Sequence, residues 1–311
     1  MKNLFIKNIS ESQVLTSYNF ARNSDVVYAE SLTPDQFSAL KLKDYKIYHQ
    51  SKRMITYKKT KFELKEGDVI FCNKDFLNNL FTDIKNIKKL KNISLVTHQN
   101  DDLITKKILS KKPKCISKWY SINVGIVDDN IISIPLGLSN DYSPKNLRYE
   151  HFQSLDTNNK DENIKMYVNF RMTNFKERGD LYDYFSDKEW VVVKEPNSEI
   201  NSYLNDLNNI HFTLCPWGNG VDSHRIWEAL YAGSIPITKF HTAFGEFKNF
   251  PILFVENYAD INLQLLKDFY SSYKKNKDLS DEKLNIDYWI NKIKDPKIKS
   301  EEFQIIYENK L

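Results

Sequence analysis

Arg225 and Glu228 stand three residues apart, close behind Asp222, Ser223 and His224, and ahead of them runs Pro216-Trp217-Gly218-Asn219-Gly220. Helix positions three apart share a face. A guanidinium able to grip a phosphate at two points therefore lies beside a carboxylate able to accept hydrogen bonds from sugar hydroxyls. Asp222 or Ser223 is placed to cap this helix, whose N-terminus offers N–H groups and a positive dipole end to an anion such as a diphosphate. Gly218 and Gly220 bracket a tight turn where backbone approaches a bound group closely. The apolar run Phe212 to Cys215 reads as the strand before the turn, and Ile235 to Thr238 as the strand after the helix, so the polar residues gather at a ligand-binding corner.

The segment resembles the signature of the exostosin-like glycosyltransferases. The matching positions are Pro216, Gly218, Asn219, Gly220, Asp222, Arg225, Trp227, Glu228, Ala229, Leu230, Gly233, Ile235, Pro236 and Ile237. So many typed positions at fixed spacing are far more specific than a lone glycine motif. The resemblance implies a GT-B fold, with two Rossmann-like domains facing a central cleft and C-terminal helices packing back on the first. It also implies a nucleotide-sugar-dependent glycosyltransferase with no resident cofactor, the nucleoside diphosphate sugar being a co-substrate. The donor residues expected at this corner are Gly218, Asn219, Gly220, Asp222, Ser223, His224, Arg225 and Glu228. Trp227, Ala229, Leu230 and Ile237 are more simply core.

The elements that position these residues alternate along the chain. Apolar runs at Val26 to Tyr28, Lys46 to Tyr48, Asp68 to Cys72, Ser94 to His98, Cys115 to Trp119 and Ile131 to Pro135 are separated by helical stretches, which predicts a mostly parallel, helix-covered sheet. A second series runs through Lys165 to Phe170, Trp190 to Lys194, His211 to Cys215, Ile235 to Thr238 and Ile252 to Val255, with helices expected near 177–186, 198–208, 223–232 and 259–274. The polar stretch Thr157 to Asn163 is the expected linker. This gives an acceptor domain over 1–160 and a donor domain over 161–311. Apolar spacing at Leu284, Tyr288, Ile290 and Ile293, then at Phe303, Ile306 and Tyr307, predicts amphipathic terminal helices.

Open α/β sheets bind ligands beyond the carboxyl ends of their strands. In the first domain that rule selects the loop His98-Gln99-Asn100-Asp101-Asp102, where Asp101, His98 and Asp102 are candidate bases for an attacking hydroxyl. An ordinary turn is the alternative reading. Trp119, Tyr120 and Asn123 flank the same crevice and are the acceptor-binding candidates. In the second domain, Arg171, Thr173, Asn174, Lys176 and Arg178 follow the first strand. By resemblance to GT-B enzymes, Arg171 and Arg178 are expected to neutralise a diphosphate leaving group, Arg171 being the first choice and a solvated helix residue the alternative reading of Arg178. Lys194, in the loop through Asn197, is expected near the nucleotide base. No Asp-x-Asp pair is present, which favours metal-independent chemistry. Proline at 236, where many retaining GT-B enzymes carry a second glutamate, weakly favours inversion.

Composition sets the remaining bounds. The 311 residues are 41% hydrophobic and 14% aromatic, enough for two packed domains. Net charge is +4 from 45 basic and 41 acidic residues, too balanced to argue for nucleic acid. The lysines between Lys85 and Lys114 read as solvated helix faces, or as a basic surface for peripheral contact with anionic lipid. No signal peptide or span of about 20 apolar residues is seen, so a cytoplasmic enzyme is expected. Cys72, Cys115 and Cys215 show neither disulfide nor zinc spacing. The expected partners are a nucleotide-sugar donor and a glycan or lipid-linked glycan acceptor. Rival readings are a nucleotide-sugar epimerase or hydrolase, and a non-catalytic glycan- or nucleotide-binding module; the sequence leaves oligomeric state open.

Overall fold

A computed structural model describes residues 4–87, 89–143, 146–155, 160, 162–172, 176–196, 199–247, 250–275 and 281–294. Strands β1 (Val26–Leu32), β2 (Tyr45–Gln50), β3 (Ile55–Lys59), β4 (Val69–Asn73), β5 (Ile93–His98), β6 (Ile116–Ser121) and β7 (Ile131–Ser133) form one sheet in the order β2-β3-β1-β4-β5-β6-β7. Five of them, β1, β4, β5, β6 and β7, run parallel. Parallel strands need crossover connections that cover both faces, which explains why β4 reads Val-Ile-Phe-Cys-Asn and is buried at every position. The helix Leu77–Ile84 makes one such cover, burying Leu77, Leu80, Phe81 and Ile84 at helical spacing, with Phe81 edge-on to Trp119.

The departure from the expected parallel sheet is at its edge. β3 was absent from the predicted strands, and it pairs antiparallel with both β1 and β2. The turn Ser51-Lys52-Arg53-Met54, closed by the Ser51 amide on the Met54 carbonyl at 2.8 Å, lets the chain double back instead of crossing over. β2 contains the expected run Lys46 to Tyr48 and, as an edge strand, is exposed at all positions but Ile47.

Strands β8 (Met166–Val168), β9 (Val191–Val193), β10 (Phe212–Leu214), β11 (Ile235–Lys239) and β12 (Leu253–Val255) build the second sheet, all parallel, in the order β12-β11-β10-β8-β9. The first sheet ends at Ser133 and the second begins at Met166. Thr157 to Asp161 of the expected linker, except Lys160, lie outside the described residues.

The helix His224–Tyr231 is wedged between the halves. Trp227 is wholly buried, edge-on to Phe247 at 5.2 Å and to Phe250 at 5.6 Å, and Phe247 meets Trp289 at 5.8 Å. Fully burying a large apolar side chain is worth about 1.5–3 kcal/mol relative to exposure, so several rings together fix the position of this helix. The terminal helix Ile286–Lys294 returns to the first half, where Tyr120 Oη donates to the Lys292 carbonyl and Gln13 Nε2 to Asp287. The second predicted terminal helix, with Phe303, Ile306 and Tyr307, lies outside the described residues. None of the described helices is long and apolar enough to cross a membrane.

Candidate active site

A cavity of about 820 Å³ opens between the halves beyond the carboxyl ends of their strands. Of the expected residues, Asp101, Arg171, Arg178, Gly218, Asn219, Gly220, Asp222, Ser223, His224, Arg225 and Glu228 line it together. Their convergence follows from topology. The loop after β10 and the helix His224–Tyr231 supply the signature, the segment after β8 supplies Arg171, and the helix Lys176–Phe185 supplies Arg178.

One end of the cavity gathers Arg171, Arg178 and Arg225, which make no ion pair among the described residues. Arg178 is 6% exposed, and its guanidinium donates to the carbonyls of Trp217 (2.9 Å), Pro216 (3.1 Å) and Arg171 (3.3 Å). It thus holds the turn before the glycines against the loop after β8. Burial, with Arg225 nearby, pulls its pKa down to about 10. Arg225 makes no ion pair among the described residues. Its Nε is buried without a hydrogen-bond partner, as is the Oγ of Ser223 at the helix N-terminus. Buried donors without acceptors cost about 1–3 kcal/mol each, which a bound anion would recover.

Glu228 occupies the neighbouring wall. Its Oε2 accepts from Tyr203 Oη at 2.8 Å and its Oε1 from the Leu147 amide at 3.2 Å. Burial and the adjacent carboxylate push the Tyr203 hydroxyl well above its ordinary range, so it stays a donor. A carboxylate offers about four lone-pair sites, leaving capacity for sugar hydroxyls.

Asp222 ties the signature to the first half. Its carboxylate accepts from the Leu136 amide and from Trp227 Nε1, both at 2.9 Å, while its own amide donates to Asn123 Oδ1 at 2.9 Å. Asn123 therefore links the stretch after β6 to the signature loop, beneath which it is buried. A Cβ on Gly220 would meet Asn123 Nδ2 at 2.8 Å and the Asp101 carbonyl at 3.2 Å, which is why this turn needs glycine. Gly137 is stricter, with φ +71 and the Leu15 carbonyl oxygen only 2.0 Å from where a Cβ would stand. Gly137→Ala is expected to cost about 2 kcal/mol or more, from the left-handed backbone and the clash with unyielding main chain, as read by denaturant unfolding.

Other expected residues lie off the cavity wall. His98 ends β5 but is 2% exposed, and its Nδ1 accepts from the Gln99 amide at 2.9 Å. Burial, reinforced by His224, drives its pKa down to about 3, so the ring stays neutral in the interior. Asp102 faces solvent, while its carbonyl accepts from the buried Lys74 Nζ. Trp119 is wholly buried, with Nε1 donating to Thr97 at 2.8 Å, and Tyr120 is held by the terminal helix. Lys194 pairs with Asp206 at 2.7 Å. Thr173, Asn174 and Asn197 lie outside the described residues.

Arg53, Tyr142, Asn146, Asn169 and Tyr203 line the cavity without having been singled out from sequence. Asn169 directly follows β8, which ends at Val168, two residues before the end of the expected run Lys165 to Phe170; that overrun kept Asn169 inside the strand and out of the loop selected beyond it. Arg53 sits on the unexpected β2–β3 turn.

Residues 171–310 match the family model described as the RXYLT1 C-terminal domain. No curated protein sequence matches the chain. Among solved structures it is similar to an alpha1,3-fucosyltransferase at 12% identity and a TM-score of 0.40, over 91% of this chain and 92% of that one. It is also similar to an alpha1,3-fucosyltransferase with GDP-fucose at 12% identity and a TM-score of 0.36, over 77% and 81% of the two chains. Likeness this distant carries neither substrate nor mechanism. The family match falls on the part of the chain that holds the cation-rich corner and the signature helix.

Proposed function

We propose that the chain transfers a sugar from a nucleoside diphosphate sugar to a hydroxyl of a glycan, free or lipid-linked, without a metal ion and with inversion at the anomeric carbon. Arg225 carries this reading: a guanidinium facing a cavity, with a buried Nε that has no hydrogen-bond partner and with no ion pair among the described residues, is poised for an external anion. In the proposal the diphosphate rests on the N-terminus of the helix His224–Tyr231, gripped by Arg225 and Arg171, with Arg178 holding the loops that shape the pocket. Glu228 accepts from hydroxyls of the donor. As the acceptor oxygen attacks, charge builds on the departing diphosphate, where these fixed cations stabilise it most.

The test is the thermal shift of the purified protein with UDP-, GDP-, dTDP-, CMP- and ADP-sugars, each with Mg²⁺ or with EDTA. One nucleotide class is expected to stabilise the fold equally in both, by about 2.7 kcal/mol at a hundred times its Kd. Silence across the panel would sink the donor site, and a shift seen only with Mg²⁺ would sink metal independence.

A further inference from the structure

His224 is the first residue of the helix His224–Tyr231, is half-buried, and lines the cavity. Its Nδ1 lies 2.7 Å from the Gly137 carbonyl oxygen. A carbonyl can only accept, so Nδ1 carries the proton, and the lone pair of the neutral ring is on Nε2. The orienting carbonyl is itself clamped. On one side the Leu136 amide donates to Asp222, and on the other the Leu138 amide donates to the Leu15 carbonyl at 2.8 Å. The Leu15 amide in turn donates to Tyr231 Oη at 3.0 Å, on the same helix as His224. A ring whose tautomer is set by a rigid partner, facing a reaction cavity, has the arrangement of a general base.

The other titratable groups around it are less suited. His98 is buried off the wall. The carboxylates of Asp222 and Glu228 are each engaged by two donors. Asp101 reaches the wall, but its side chain is exposed and makes no hydrogen bond among the described residues that would aim it. Arg225, next in sequence, is a permanent cation suited to the leaving group.

We infer that His224 takes the proton of the attacking hydroxyl, with the Gly137 carbonyl as its orienting partner. This rests on the glycosyltransferase reading above. The acceptor oxygen bonds to the anomeric carbon as the bond from that carbon to the β-phosphate oxygen breaks. The bonding pair leaves on the phosphate oxygen, and the hydroxyl proton moves to Nε2, giving an imidazolium still hydrogen-bonded to Gly137.

The experiment follows nucleoside diphosphate release against pH for the wild type, His224→Gln and Asp101→Asn. The donor is whichever panel nucleotide sugar stabilises the wild type, and water serves as acceptor. Wild type and Asp101→Asn are expected to lose rate on acidification. His224→Gln should lose about 10²–10⁴-fold in kcat together with that acid limb, while keeping its thermal shift with the nucleoside diphosphate. An acid limb that survives in His224→Gln, or that disappears only in Asp101→Asn, overturns the assignment while leaving the glycosyltransferase reading intact. A wild type that binds and consumes no panel donor overturns that reading instead. The ¹⁵N shifts of the wild-type imidazole do not depend on any variant folding: the Nδ1–H tautomer at His224 is expected, and the Nε2–H tautomer refutes the proposal.

Discussion

Arg225→Ala is expected to weaken nucleoside diphosphate binding by tenfold to a hundredfold or more, with little loss of fold stability. Hydrogen bonds to charged groups are worth about 1.5–3 kcal/mol, and each 1.4 kcal/mol is about tenfold in affinity. The free protein has little to lose, because among the described residues Arg225 has no ion pair and only the face of Phe170, 5.9 Å from its guanidinium carbon. Its charge opposes that of Arg178, which burial already disfavours, so removing it relieves repulsion. Arg225→Lys keeps the charge but not the two-pronged grip, and should fall between. Titration calorimetry with UDP and GDP, at low and high salt, provides the check. An unchanged Kd in Arg225→Ala would place the diphosphate elsewhere.

What was legible in the sequence follows from how local each feature is. The signature residues share one turn and one helix, so spacing alone grouped Gly218 to Glu228, and they stand on one wall. Arg53, Tyr203 and the pair Tyr142 and Asn146 come from three separate places and meet only through tertiary packing, which one sequence does not encode in any short window. The strand runs were legible because parallel strands, buried on both faces, are continuous apolar runs. The same fact explains why Trp119 and Tyr120 are not in the crevice. Neighbours in a strand point to opposite faces, and here Trp119 enters the cluster with Phe81 while Tyr120 enters the core shared with Trp227 and Trp289, so neither face is open. The expected runs include the exposed edge strand β2 through Lys46 to Tyr48 but not β3, because only Ile55, Thr56 and Tyr57 of β3 are buried before it turns to lysines, a run too short to stand out. His98 illustrates a third limit: ending a strand at the correct edge does not decide whether a side chain emerges or turns inward.

Asp222 should prove the most sensitive position for stability, because its interactions join the two halves through buried groups. Asp222→Ala leaves the Leu136 amide and the Trp227 indole N–H without acceptors, at about 1–3 kcal/mol each. At roughly 2–4 °C per kcal/mol for a chain of this size, a fall in Tm of at least about 5 °C is expected. Ionisation adds a pH signature. Burial pushes the Asp222 carboxyl up to about 7, against the pull of the Leu136, Trp227 and Ser223 N–H groups. A carboxyl is half-protonated near pH 4 in the unfolded chain, so between about 4 and 7 the folded state holds a proton that the unfolded state has released. Stability from this group therefore rises as pH falls from about 8 towards 5, and is lost as pH climbs through 7. Glu30, buried beside Arg22 and raised to about 8, contributes with the same sign, so the wild-type curve alone does not isolate Asp222. The difference in Tm between wild type and Asp222→Asn does, because asparagine keeps the shape and has nothing to titrate. A difference that changes through pH 7 is the expected result. A flat difference from pH 5 to about 8 would mean that the three N–H donors hold the carboxylate ionised throughout, leaving Asp222 as a purely geometric tie between the halves.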